Sequence, residues 1–146
     1  MTEIRGGCQC GQLRYIVRAR PETVYCCHCR ECQKQSASAF GMSLPVPMTD
    51  LSFTGRAASW ERDTDIGGRT RCFFCPECGS RVWHQGSASL DWVTIKGGSL
   101  DDPSWLRPSA HIWVSRKQPW VVVDPDIPAH LTQPEDLDAW RHGGAA

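Results

Sequence analysis

The sequence predicts a mainly β protein, a single domain with one short helix near its C-terminus, and three observations carry that reading. Leu13-Arg14-Tyr15-Ile16-Val17 and Leu51-Ser52-Phe53-Thr54-Gly55 alternate with a period of two, as a strand with one buried face does. Four later segments, at 80–84, 92–96, 111–114 and 120–123, are strand-length, rich in β-branched or aromatic residues, and separated by Gly, Ser, Asp and Pro. Only at the end does a helix signal stand out: Thr132-Gln133-Pro134-Glu135 resembles a capping box ahead of Asp136–Trp140, with Gly143 and Gly144 following.

At 146 residues the chain suits one domain with a real core, and the expected domain is 1–146. Sixteen basic and sixteen acidic side chains leave a formal net charge of zero, so no electrostatic footprint for a phosphate backbone or an anionic membrane is visible and nucleic-acid binding is disfavoured. The start, Met1 to Arg5, is polar and has no apolar signal region, and no run approaches membrane-spanning length. A soluble, cytoplasmic protein is expected.

Taken in order, Gly6-Gly7-Cys8-Gln9-Cys10-Gly11 is a sharp bend leading into the first strand. In a flat strand residues two apart lie about 6.5 Å from each other, so a paired C-x-C needs the turn its glycines permit. Val24-Tyr25-Cys26 is a brief apolar lead into Cys26-Cys27-His28-Cys29-Arg30-Glu31-Cys32, and Gln33 to Ala39 makes a turn of helix or an irregular loop. Phe40 to Leu44 reads as a strand ended by Pro45 and Pro47. Ala57 to Arg62 is another short strand, Asp63 to Gly68 a turn or mobile loop, and Arg69 to Phe74 returns the chain to Cys75-Pro76-Glu77-Cys78-Gly79. That last stretch has the form of a zinc knuckle, with a glycine able to take the left-handed conformation after the second cysteine.

Nine cysteines is an odd number, and with close C-x-C and C-x-x-C spacing and no signal peptide they argue against a disulfide framework and for metal or redox chemistry. Four thiolates close a structural zinc site, whereas three leave a position for water or substrate. The outer groups supply two ligands each, so Cys8, Cys10, Cys75 and Cys78 can complete one site. The central group must supply its own, and Cys27, Cys29 and Cys32 can share one ion on a compact loop with the fourth position open. An ion there would favour the thiolate of an incoming thiol.

Taken together, Gly6-Gly7-Cys8-Gln9-Cys10-Gly11, Cys27-His28-Cys29-Arg30-Glu31-Cys32 and Phe74-Cys75-Pro76-Glu77-Cys78-Gly79, in that order, resemble the glutathione-dependent formaldehyde-activating enzyme family, which also includes the centromere protein V domain. His111-Ile112-Trp113 and Lys117-Gln118-Pro119-Trp120 fit as well, so the resemblance covers roughly residues 4–123 and leaves 124–146 as a tail with the short helix. The resemblance implies a twisted all-β zinc fold shared with a Rab GTPase accessory protein and methionine sulfoxide reductase B. It further implies a structural zinc at Cys8, Cys10, Cys75 and Cys78 and a labile catalytic zinc at Cys27, Cys29 and Cys32. The activity it implies is a carbon-sulfur lyase acting on glutathione adducts, with glutathione as cosubstrate and S-hydroxymethylglutathione as the namesake case.

Plainer readings stand beside these. Cys26 reads as a small buried thiol at a strand end, with a reserve-ligand role as its alternative, and Cys72 reads the same way. The ring of His28, between two proposed ligands, is expected to point away from their ion, with a ligand or proton-shuttle role as the alternative. His84 and His111 read as hydrogen-bonded packing residues. Arg30 and Glu31 read as the solvated face of the loop, with Arg30 offsetting thiolate charge as its alternative, and Arg69, Arg71 and Arg81 are either exposed strand positions or attractors of glutathione carboxylates. Most of the seven tryptophans belong to core and strand packing. Two rival functions remain: a binding scaffold whose zincs only hold shape, and redox chemistry through Cys29 and Cys32, which the lack of a thioredoxin-like βαβ pattern weakens.

Overall fold

The computed structural model describes residues 3–144. Met1, Thr2, Ala145 and Ala146, which belong to the expected 1–146 domain and its ends, lie outside the described residues. The chain is mainly β. Its strands are β1 (Ile4–Gly7), β2 (Arg14–Val17), β3 (Tyr25–Cys27), β4 (Gly41–Pro47), β5 (Leu51–Thr54), β6 (Ala58–Asp63), β7 (Arg69–Phe74), β8 (Arg81–Gly86), β9 (Trp92–Lys96) and β10 (Ala110–Ile112). The helices are α1 (Arg30–Ser36) and α2 (Leu137–Arg141). Two compact units divide the chain, Met1–Arg20 with Pro45–Ser104, and Pro21–Leu44 with Trp105–Ala146.

In the first unit β1, β2 and β5 form an antiparallel sheet in that order. Its alternation is the one expected: Leu13, Tyr15 and Val17 are buried while their neighbours are partly exposed. The Tyr15 hydroxyl is hydrogen-bonded to Ser99 Oγ at 2.7 Å, which satisfies the polar end of a buried ring. No alternation in the sequence marks β1. Gly6 sits in it because a Cβ there would collide with Tyr15 Oη and the Ser99 carbonyl, so a residue that weakens strands in isolation is required by close approach.

β6, β7, β8 and β9 follow as an antiparallel ladder. The turn between β6 and β7 is closed by Thr64 N–H donating to Gly68 O, with Gly67 and Gly68 both at positive φ. Val82, Trp83, Val93 and Ile95 are buried, and Trp83 stacks on Phe73 with ring centres 5.3 Å apart. Cys72 is buried in β7. A bulge at Phe73/Phe74 leads into the knuckle.

In the second unit β3 pairs antiparallel with β4 and parallel with β10. β4 runs on through Pro45 to Pro47 rather than ending there. Its register with β3 covers only Gly41 to Ser43, so the missing proline N–H groups break none of those pairings. The segment 120–123 forms no strand. Prolines at 119 and 125 flank it, Trp120 and Val122 are exposed, and only Val121 is buried.

The terminal helix α2 stands where the sequence placed it, but its cap is Asp136, whose carboxylate accepts from Ala139 N–H at 3.0 Å. Thr132 lies four residues ahead of that cap, where its carbonyl accepts the N–H of Trp113. Trp140 packs its ring 4.5 Å from that of Tyr25. Its carbonyl accepts from Thr23 Oγ1 at 2.5 Å, which ties α2 to the residues before β3.

Candidate metal centres

The first unit brings Cys8, Cys10, Cys75 and Cys78 together, with all four sulfurs within 4.8 Å of one another. The chain turns directly after β1: Cys8 N–H donates to Leu13 O and Gly11 N–H to Cys8 O, with Gly11 at φ +82°. The knuckle is equally tight. Gly79 N–H donates to Cys75 O at 2.8 Å, Cys75 N–H donates to Ser80 O at 3.0 Å, and Gly79 has φ +79°.

Cys8 and Cys10 have sulfurs 3.6 Å apart, and Cys10 and Cys75 3.7 Å. Tetrahedral ligands about 2.3 Å from zinc would stand about 3.8 Å from each other, so the spacing fits that ion. Donors also surround the sulfurs as a thiolate cluster requires. Leu13 N–H points to Cys8 Sγ at 3.3 Å, and the N–H groups of Glu77 and Cys78 point to Cys75 Sγ at 3.4 and 3.5 Å.

Gln12 Nε2 adds a fourth such bond, to Cys75 Sγ at 3.0 Å, while its other contacts hold both the N–H and C=O of Arg56. Nothing in the sequence marks Gln12 or Ser80, because a polar residue beside a turn carries no signal of its partner. The Ser80 hydroxyl and backbone N–H, bonded to Cys78, pull its thiol down to about 5, and Cys75 is also lowered, with burial opposed by the Gln12 and backbone hydrogen bonds. Cys10 moves the other way. The Gln12 backbone lowers it, but burial and the three neighbouring thiols push it up to about 12.

The second unit gathers Cys27, Cys29 and Cys32, again with sulfurs within 4.8 Å of one another. Cys27 ends β3, Cys29 is the N-cap of α1, and Cys32 lies in its first turn. Cys29 Sγ accepts from Cys32 N–H at 3.3 Å, a cap that fixes the C-x-x-C spacing. Cys27 and Cys32 are buried in an apolar cluster with Tyr25, Ala110, Ile112 and Trp140, while Cys29 is half-buried against it. Cys27 is pushed far up by hydrogen bonds with Cys29 and Cys32 and by burial. Cys29 is raised as well, its bond with Cys27 lowering it but that with Cys32 and burial outweighing the gain. Three crowded thiols, soft donors set in or against an apolar cluster, suit a soft cation that displaces their protons.

Cys26 stays outside this group. Side chains alternate along β3, and burial raises its thiol to about 11. The His28 ring is fully buried and turned to His111, Nε2 to Nδ1 at 3.0 Å, and its centre lies 5.2 Å from that of the Phe40 ring. Burial, then the charges of His111 and Lys117, lower His28 to about 4, and burial lowers His111, so both are neutral at pH 7. Arg69 and Arg71 pair with Glu61, and Arg81 lies over the Trp60 ring at 5.9 Å, so these cations already have partners on their own ladder.

Residues 3–116 match the family model described as glutathione-dependent formaldehyde-activating enzyme. The chain belongs to that family. A crystal structure of a Rhodobacter sphaeroides protein, a Northeast Structural Genomics target, is similar in fold, with a TM-score of 0.51 at 17% identity over 71% of this chain and 91% of that one. A comparison with curated proteins gives no match. Among the described residues of this glutathione-dependent formaldehyde-activating family member, no helix is long and apolar enough to cross a membrane. Both cysteine groups are compatible with zinc.

Proposed function

We propose that this chain is a zinc-dependent carbon-sulfur lyase acting on adducts of glutathione, or a related thiol, with small electrophiles such as formaldehyde, and that it works in the cytoplasm. The observation that carries the reading is the contrast in donor number. Four sulfurs at Cys8, Cys10, Cys75 and Cys78 close a structural site, whereas three at Cys27, Cys29 and Cys32 leave a tetrahedral ion one ligand short.

Cys27, Cys29 and Cys32 are the ligands on which catalysis depends. A zinc ion bound there supplies Lewis acidity that stabilises a sulfur as thiolate. The buried sides of Cys27 and Cys32 keep water away and strengthen electrostatic interactions in the site, and the half-buried Cys29 marks the side from which a thiol approaches. In the cleavage direction the bond between glutathione sulfur and the hydroxymethyl carbon breaks. Its electron pair leaves on sulfur, the hydroxyl proton passes to solvent, and formaldehyde departs.

The test is NMR exchange between ¹³C-formaldehyde and S-hydroxymethylglutathione with the zinc-loaded protein. Acceleration of exchange that disappears in Cys29→Ser is expected. No acceleration by a protein carrying two zincs would replace this reading with a scaffold whose metals only hold shape.

A further inference from the structure

Glutamine can offer two N–H bonds and accept two at its oxygen. Gln33, buried on α1 next to Cys32, uses all of that capacity. Its Nε2 donates to His28 O at 2.8 Å and to Arg116 O at 3.0 Å, and its Oε1 accepts from Arg30 Nη1 at 2.5 Å and Gln118 Nε2 at 3.2 Å. The bond to His28 matters most. The carbonyl it holds belongs to the peptide joining His28 to Cys29, while the N–H of His28, in the peptide joining Cys27 to His28, donates to Ile112 O at 3.0 Å. Both peptide groups between the two thiols are therefore tied down, and the His28 ring is held by His111. The spacing of a C-x-C pair is set by those two peptides, so whatever holds them sets the geometry of the donors.

We propose that Gln33 is a positioning residue for the Cys27–Cys29–Cys32 centre, clamping the backbone between its first two thiols to the Arg116–Gln118 segment. The proposal rests on these three cysteines holding a metal. The Gln33 side chain makes every hydrogen bond it can, which specifies one arrangement of this backbone, and outer partners of this kind change metal affinity by about 10–100-fold. Gln33→Glu keeps the acceptor for Arg30 but sets a carboxylate against the His28 and Arg116 carbonyls. Gln33→Met keeps the length and removes every bond.

The experiment is zinc release to a chromogenic chelator, with native mass spectrometry counting ions, on the zinc-loaded wild type, the two Gln33 variants and Cys27→Ser. The wild type should release two zincs in two phases, and Cys27→Ser should lack the faster one. In both Gln33 variants the faster phase should speed up by about 10–100-fold while the slower phase, from the four-cysteine group, stays unchanged. Wild-type rates in both variants would overturn the proposal. Equal acceleration of both phases, or failure of both variants to fold, would make Gln33 a residue of the fold at large and overturn it too. A wild type that binds a single zinc would instead remove the three-cysteine centre itself, a result distinct from a second zinc indifferent to Gln33.

Discussion

Cys10 and Cys75 stand 65 residues apart in the chain, whereas Cys27, Cys29 and Cys32 fall within six consecutive residues. Closing the long loop costs about 2 kcal/mol more in chain entropy than closing the short one. The short loop is in any case already shaped by β3, by α1 and by the bonds to His28. A metal at the four-cysteine group is thus asked to hold the fold, and a metal at the three-cysteine group is not. The donors differ in the same sense. The first group has several N–H and O–H groups pointing at sulfur, while the second sets its sulfurs in an apolar cluster, with Cys32 N–H on Cys29 Sγ and the peptides between Cys27 and Cys29 bonded elsewhere.

The largest effect should come from breaking the first group. Structural zinc contributes on the order of 10–16 kcal/mol to small metal-dependent folds, as much as a typical domain's whole stability. Cys75→Ser is expected to lose its cooperative thermal transition and its near-ultraviolet circular dichroism. A variant that melts like the wild type would mean that the four thiols are not a structural site. Cys29→Ser should do the reverse. Its melting curve and the first zinc persist, and exchange of formaldehyde with its glutathione adduct falls by on the order of 10⁴-fold, as when one member of a catalytic unit is removed.

Acid should separate the two groups less sharply but in a fixed order. A thiol whose folded-state pKa lies below its ordinary 9.0 contributes stability above that value and loses it as pH falls through the lowered pKa. For Cys78 that window runs from about 9 down to about 5. Cys27 and Cys29 are raised, so protons compete for their sulfurs at higher pH. Cys10 is raised too, but Cys75 and Cys78 are both lowered, so two of its four thiols lose their protons more readily than a free cysteine. On lowering pH from 8, native mass spectrometry should show one zinc lost before the other, with the early loss absent from Cys27→Ser. Simultaneous loss would erase the distinction.

Much of this contrast is legible in the sequence, because it is carried by cysteine spacing and strand periodicity. Leu13, Tyr15 and Val17 announce β2, and the C-x-x-C-G of Cys75 to Gly79 announces its own turn. What escapes are features whose meaning lies in a distant partner. Gly6 looks like turn punctuation and is a strand residue fitted against Tyr15 and Ser99. Gln12 and Gln33 are ordinary polar residues until the chain brings Cys75 and the His28 carbonyl to them. The run at 120–123 has strand composition, but without a neighbouring strand composition does not suffice.

Cys26 gives the smallest effect and the finest test of where the three-cysteine group ends. It adjoins Cys27 and could complete a fourth position by sequence alone, yet its place in β3 turns it to the other face, and burial keeps its thiol protonated up to about 11. Cys26→Ala should therefore leave zinc count, release rates and exchange activity at wild-type values and lower stability by about 1 kcal/mol. That corresponds to a shift of about 3 °C in melting temperature. Loss of the faster-released zinc in this variant would make the group a closed four-thiolate site, and the openness on which a lyase depends would go with it.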